Sequence, residues 1–182
     1  MTIETLALQG QNAIRGSMAS TILARIGEIR NESIQECFRD LHCIEHRLEI
    51  VADIHGIEFI NDSMATNVNS TWFALESMIR PVIWIAGGSG TCSEYHLLAD
   101  LIAEKVKSVI WLGKNHEEIR PFFRALNKPF DAAVSLEDAV EQAYSKGKKG
   151  DAVLLSPGCA SFGQFPDYEA RGRRFRQAVK NL

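Results

Sequence analysis

Runs of apolar residues recur along the second two-thirds of this chain: IEFIN from 57, VIWIA from 82, SVIWL from 108 and AVLL from 152. Each empties into glycine, serine or aspartate. The runs after the first are apolar throughout instead of alternating, so a strand built from them has to be covered on both faces. Stretches of about ten residues with helical spacing separate them, which is the pattern of parallel strands joined by crossover helices. The expected fold class is α/β: a three-layer, Rossmann-like sandwich around a mostly parallel six-stranded sheet, preceded by a short helical segment.

The connecting segments support this. Trp72, Leu75 and Met78 share one face of a helix expected over 69–78, which Pro81 ends. Leu98, Ile102 and Val106 do the same for 95–105. A helix is expected over 115–126, kinked or split by Pro121, which lacks an N–H to donate. A shorter strand is expected over 130–134, and Ser135 caps a helix to 144 whose first turn carries Glu137 and Asp138. A turn over 146–150 leads to the last strand, and 168–182 reads as a final, arginine-rich helix. Residues 47–54 alternate, and His55-Gly56 is a tight turn, so 47–61 reads as a hairpin whose first strand is an antiparallel edge.

The start of the chain is different. A short strand is expected over 3–8 and an amphipathic helix over 13–26, with Ile14, Met18, Ile22 and Ile26 at four-residue spacing. Asn31 can cap a second helix over 32–41 that turns Ile34, Phe38 and Leu41 inward. These pieces cannot enclose a core by themselves. Residues 1–44 therefore read as the tail of another domain and 45–182 as a domain of its own. The exposed apolar faces of the first segment imply modest self-association.

Composition excludes several classes. A net charge of -3 gives no basic field for nucleic acid. No apolar run approaches the roughly 20 residues that span a bilayer, and MTIETLALQG lacks the features of a signal peptide. The expectation is a cytoplasmic protein without membrane contact. Cys37, Cys43, Cys92 and Cys159 form no CxxC pair and fit reduced thiols. His42 beside Cys43 is the only hint of zinc, and incidental thiols explain the cysteines better.

Ligands of open parallel sheets bind beyond the carboxyl ends of the strands. Those ends carry Asn61-Asp62-Ser63-Met64-Ala65-Thr66-Asn67, Gly87-Gly88-Ser89-Gly90-Thr91, Gly113-Lys114 and Ser156-Pro157-Gly158-Cys159-Ala160-Ser161-Phe162-Gly163. Small, polar and glycine-rich, they suit backbone N–H groups and hydroxyls approaching an anionic or amide ligand. GGSGT is neither GxxxxGK[ST] nor GxGxxG, so phosphoryl transfer from ATP by this chain alone and plain dinucleotide binding are both disfavoured. Ser156 and Ser161 lack a GxSxG elbow. Arg47 either makes a bidentate contact to a phosphate or carboxylate or forms a structural pair with His46. Asp62 either accepts from ribose hydroxyls or caps the next turn. Arg171, Arg173, Arg174 and Arg176 read as a solvated face.

HRLE at 46, FINDSMATN at 59, WIAGG at 84 and LLSPGCASFGQFPDYEARG at 154, in this order, resemble the C-terminal domain of the Mur ligases. The likeness is strongest to members that add D-glutamate to UDP-N-acetylmuramoyl-L-alanine in peptidoglycan synthesis. Residues 1–44 resemble the closing helices of the family's central, ATP-binding domain. The resemblance covers nearly the whole chain but only about two-fifths of a full ligase. It implies an ATP- and magnesium-dependent reaction in which a carboxylate is phosphorylated and the amine of D-glutamate displaces the phosphate. It further implies that Arg47 and Asp62 contact the nucleotide. Thr66, Thr91, Ser161, Phe162 and Tyr168 fall at positions that hold D-glutamate.

The chain departs from that pattern at charged positions. Met64 stands where the family's NDSKATN has lysine, Thr91 where another lysine is usual, and Gly163 where aspartate is usual. Gly10-Gln11-Asn12-Ala13-Ile14-Arg15-Gly16 lacks the histidine and asparagines of GxHNxxN. Each charge-assisted hydrogen bond contributes about 1.5–3 kcal/mol, so two missing lysines weaken an anion roughly a hundredfold or more. A divergent ligase with another acceptor, a non-catalytic Rossmann-like binding or scaffold module, and an altered or isolated domain all remain open on sequence.

Overall fold

The computed structural model describes residues 18, 22, 27, 44–88, 94–161 and 163–182. The chain divides into two compact units, Met1–Cys43 and Ile44–Leu182. In the first, Met18 and Ile22 are helical, and they are 60% and 58% exposed. The other elements expected before residue 44 lie outside the described residues, as do Thr91 and Phe162.

The second unit contains β1 (Glu49–Ile54), β2 (Ile57–Asn61), α1 (Val68–Ser77), β3 (Val82–Ala86), a 3-10 turn (Tyr95–Leu98), α2 (Ala99–Lys105), β4 (Val106–Leu112), α3 (His116–Ala125), β5 (Phe130–Ala133), α4 (Leu136–Lys146), β6 (Ala152–Leu155) and α5 (Tyr168–Lys180). The strands form one sheet in the order β1-β2-β6-β3-β4-β5. β1 pairs antiparallel with β2, and all other pairs are parallel. His55 and Gly56 both have positive φ, 53° and 82°, the conformation that a two-residue hairpin loop demands if its twist is to match the strands.

The apolar runs are buried on both faces, as their composition requires. Val82, Trp84 and Ala86 of β3 face a layer containing Leu75 of α1, Leu98, Ile102 of α2, and Ile119 and Phe123 of α3. Ile83 and Ile85 face the other way, onto Ala139, Val140 and Ala143 of α4 and Phe175 and Val179 of α5. Ser135 caps α4 by accepting from the Asp138 N–H, as its position in the sequence suggests.

Two expectations are corrected. Pro121 neither ends nor splits α3, which runs unbroken through it. The proline sits mid-helix and removes a single intrahelical bond, and burial of Ile119 and Phe123 on either side holds the helix to the sheet. The segment expected as one helix over 95–105 begins as a 3-10 turn and becomes α-helical only at Ala99. At the end of the sheet away from the strand carboxyl termini, lysines cap helix ends. Lys105 Nζ donates to the carbonyls of Glu76 and Met78 at the end of α1, and Lys128 Nζ to the carbonyl of Ala103 in α2.

Candidate functional site

The loops after β2 and β6 meet at the carboxyl edge of the sheet. The Asp62 N–H continues the β2–β6 ladder by donating to the Leu155 carbonyl at 2.8 Å. The chain then turns, with Ala65 N–H donating to the Asp62 carbonyl, and Asn67 caps α1 by accepting from Ser70 N–H. The loop after β6 is stitched to this turn by Gly158 N–H donating to the Ala65 carbonyl at 3.1 Å. It is stitched to β3 by Ser156 N–H donating to the Ile85 carbonyl.

Side chains from the surrounding elements capture the carbonyls of the β6 loop. Trp84 Nε1–H donates to the Ser156 carbonyl at 2.8 Å, and the Tyr95 hydroxyl donates to the Pro157 carbonyl at 2.6 Å. Ser156 Oγ–H donates to Asp62 Oδ2 at 2.8 Å and lies 3.1 Å from the Thr71 hydroxyl. Asp62 Oδ1 accepts from Leu48 N–H at 3.3 Å. Burial pushes the Asp62 carboxyl up to about 7, against the opposing pull of the Ser156 hydroxyl, the Leu48 N–H and the positive charges of Arg47 and Arg171.

Arg171 does not belong to a solvated face. Its side chain is 1% exposed and reaches from α5 into the junction of the two loops. Nε donates to Ser63 Oγ at 3.0 Å, Nη2 to the Ser63 carbonyl at 2.8 Å and Nη1 to the Cys159 carbonyl at 3.2 Å. Ser63 Oγ in turn donates to the Tyr168 carbonyl at 2.7 Å, closing a circuit through the start of α5. Arg173 and Arg174 are exposed, and Arg174 pairs with Glu137 of α4.

The expected site residues Asp62, Thr66 and Ser161 lie on the two loops that meet here. Asp62 and Ser161 are buried. Arg47 is exposed, within electrostatic reach of Asp62. Thr66 is exposed on the turn, and Tyr168 is half-buried at the first position of α5. Met64 is 37% exposed, and its N–H donates to the His46 carbonyl. His46 and Arg171 are the residues that sequence reasoning left undecided or misread. A signal for Arg171 existed: it lies four residues before Phe175 and eight before Val179, on the buried face of α5. Among the described residues, no group of His, Cys, Asp and Glu side chains can hold a metal ion, and no helix is long and apolar enough to cross a membrane.

Comparison with known proteins agrees with this fold. The chain is 45% identical over 182 residues to the UDP-N-acetylmuramoylalanine–D-glutamate ligase of Porphyromonas gingivalis, and 44% identical over 183 residues to that of Bacteroides thetaiotaomicron. All of this chain is matched in both, but it spans only about two-fifths of their length, 40% and 41%. Among solved structures, UDP-N-acetylmuramate-alanine ligase from Thermotoga maritima shares the fold with a TM-score of 0.67 at 14% identity, over 94% of this chain and 38% of that one. The MurF ligase of Thermotoga maritima in complex with ADP shares it with a TM-score of 0.62 at 13% identity, over 94% of this chain and 39% of that one. The family described as "Mur ligase, glutamate ligase domain" matches residues 46–159, from the turn before β1 to the loop after β6. The chain belongs to the Mur ligase family, through this glutamate ligase domain.

Proposed function

We infer that this chain is the acceptor-binding part of an ATP-dependent ligase that joins D-glutamate to UDP-N-acetylmuramoyl-L-alanine. In the whole reaction, ATP phosphorylates the carboxylate of the uridine-nucleotide substrate, releasing ADP. The amine of D-glutamate attacks the acyl phosphate, the amide bond forms and phosphate leaves. Arg47 and Asp62 contact the nucleotide, a guanidinium for phosphate and a carboxylate for ribose hydroxyls. Thr66, Thr91, Ser161, Phe162 and Tyr168 orient D-glutamate. The observation that carries this reading is the junction at the carboxyl edge of the sheet: the loops bearing Asp62 and Thr66 and the loop bearing Ser161 are tied to each other by Arg171.

The catalytic phosphate-binding loop is assigned to the rest of a full ligase, because GxxxxGK[ST] does not occur in this chain. Magnesium accompanying ATP takes its ligands from the triphosphate and from protein outside the described residues. A cytoplasmic setting goes with these substrates. ADP-forming ligation by the isolated chain would overturn the division of labour. Self-association of the first unit through the exposed Met18 and Ile22 belongs to the same reading, and sedimentation that stays monomeric at high concentration would exclude it.

The direct test is a titration of D-glutamate and then ADP into isotope-labelled chain, beside a Met64→Lys/Thr91→Lys double variant. Shifts of the Thr66 and Ser161 amides at millimolar D-glutamate are expected. The variant should respond at a concentration roughly a hundredfold lower, if each lysine restores one charge-assisted hydrogen bond. No response from either protein at those amides would refute the acceptor site.

A further inference from the structure

Arg47 lies between two non-glycine residues in the left-handed region, His46 at φ 64° and Leu48 at φ 46°. That backbone is disfavoured for both, so something has to hold it. Main-chain bonds supply part of the restraint. His46 N–H donates to Glu49 Oε2 at 2.9 Å, the His46 carbonyl accepts from Met64 N–H at 3.0 Å, and Leu48 N–H donates to Asp62 Oδ1 at 3.3 Å.

The imidazole supplies the rest. It is buried, and it packs against α5 at Gly172, where a Cβ would lie 2.2 Å from Nδ1 and 2.6 Å from Cγ. Nδ1 stands 2.9 Å from Asn61 Nδ2. The amide orientation is fixed, because Asn61 Oδ1 accepts from Ser63 N–H at 3.2 Å. Asn61 Nδ2 therefore donates, Nδ1 accepts, and the ring proton resides on Nε2, which is buried without a partner. Burial and Arg176 hold the ring below its ordinary pKa, against Glu49 and Glu45, and Arg173 adds to the lowering. The ring is thus a neutral wedge.

We propose that His46 is a positioning residue: wedged between Asn61 and Gly172, its imidazole fixes the left-handed turn that presents Arg47 beside Asp62, which for its ligand rests on the nucleotide reading above. The same turn holds Met64 through its main chain, so the wedge sets the start of the acceptor loop as well.

Removing the ring frees the turn, and Asp62 then loses the Leu48 N–H and the nearby charge of Arg47, both of which favour its ionised form. Arg171 and the Ser156 hydroxyl remain. The test follows the Asp62 carboxyl by carbon-detected pH titration, and ADP affinity by amide shifts, in wild-type chain, His46→Ala and Arg47→Ala. In His46→Ala the Asp62 midpoint is expected above that of wild type, and ADP affinity lower by roughly fivefold or more. An unchanged midpoint in His46→Ala overturns the proposal. Wild-type ADP affinity in Arg47→Ala overturns the nucleotide reading instead, and the Asp62 midpoint still decides the placement. If His46→Ala does not fold, long-range proton–nitrogen correlation on wild type reads the tautomer directly. A proton on Nε2 near neutral pH supports the wedge, and one on Nδ1 refutes it.

Discussion

Asp62→Asn should leave this chain nearly unchanged below pH 3.8 and stabilise it increasingly as pH rises from there to about 7. Asp62 is 5% exposed, and burial raises its carboxyl from 3.8 to about 7. Between those values the folded chain holds a proton that the unfolded chain has released. Stability from this group is therefore complete below 3.8 and is lost as pH rises through about 7. Integrated from about pH 5 to about pH 8, the loss is roughly 2–3 kcal/mol. His46 works in the opposite sense: its folded pKa is depressed, so its contribution is present above 6.5 and lost as pH falls. The two overlap, and the wild-type profile alone does not separate them. Asparagine resembles the protonated acid, accepts from Leu48 N–H as before, and leaves His46 untouched. Urea unfolding of both proteins across this range gives a difference in which His46 cancels. The variant should gain roughly 2–3 kcal/mol relative to wild type from acid to alkaline pH. A flat difference, or one of opposite slope, would show that Asp62 is not held against ionisation. ADP affinity should fall below pH about 7 in wild type, because a protonated Asp62 no longer offers a charged acceptor to ribose hydroxyls.

Three further outcomes follow from the packing. Gly172→Ala, which helix propensity alone would favour by about 1 kcal/mol, should destabilise by about 1–3 kcal/mol, because its Cβ would fall 2.2 Å from His46 Nδ1; chemical denaturation checks the sign. Arg171→Met should cost about 3 kcal/mol or more, since it strips donors from the buried Ser63 and Cys159 carbonyls, and it should raise hydrogen exchange in both loops. Lys105→Met should cost about 1 kcal/mol and fray the end of α1 first, seen as faster exchange there than in α5.

The core of the sheet was legible because four of its strands announce themselves twice, by an apolar run and by the glycine or small polar residue that follows it. The hairpin was legible because His55-Gly56 leaves room for little else. The edge of the sheet where the site is proposed followed from strand direction alone. The internal wiring was not legible. Four arginines at 171, 173, 174 and 176 look alike in sequence, and only the helix phase set by Phe175 and Val179 turns the first of them inward. The glycine after it was the other clue, since a mid-helix glycine signals close approach. His46 gave no local signal, because its partner Asn61 is 15 positions away and Gly172 lies 111 positions beyond Asn61. Pro121 does not split its helix, because one lost intrahelical bond weighs less than two buried side chains.

The carbonyls of the site loops are captured by Trp84, Tyr95 and Arg171, none of which stands where a substrate contact is proposed. Frame and contact residues are therefore separate sets except at Asp62, which accepts from Leu48 N–H and the Ser156 hydroxyl and is also a proposed nucleotide contact. Met64 illustrates the separation: its bonds in the turn are main-chain ones, to the His46 carbonyl and from Thr66 N–H, and its side chain is part-exposed. A lysine placed there keeps both bonds and buries no new charge. A fold of this kind can lose or regain the cations of its acceptor site without disturbing the scaffold that presents them. That is why Met64→Lys should alter D-glutamate affinity while leaving unfolding free energy within about 0.5 kcal/mol of wild type. A larger stability change would mean that the thioether is part of the frame, and that the two sets overlap at this position.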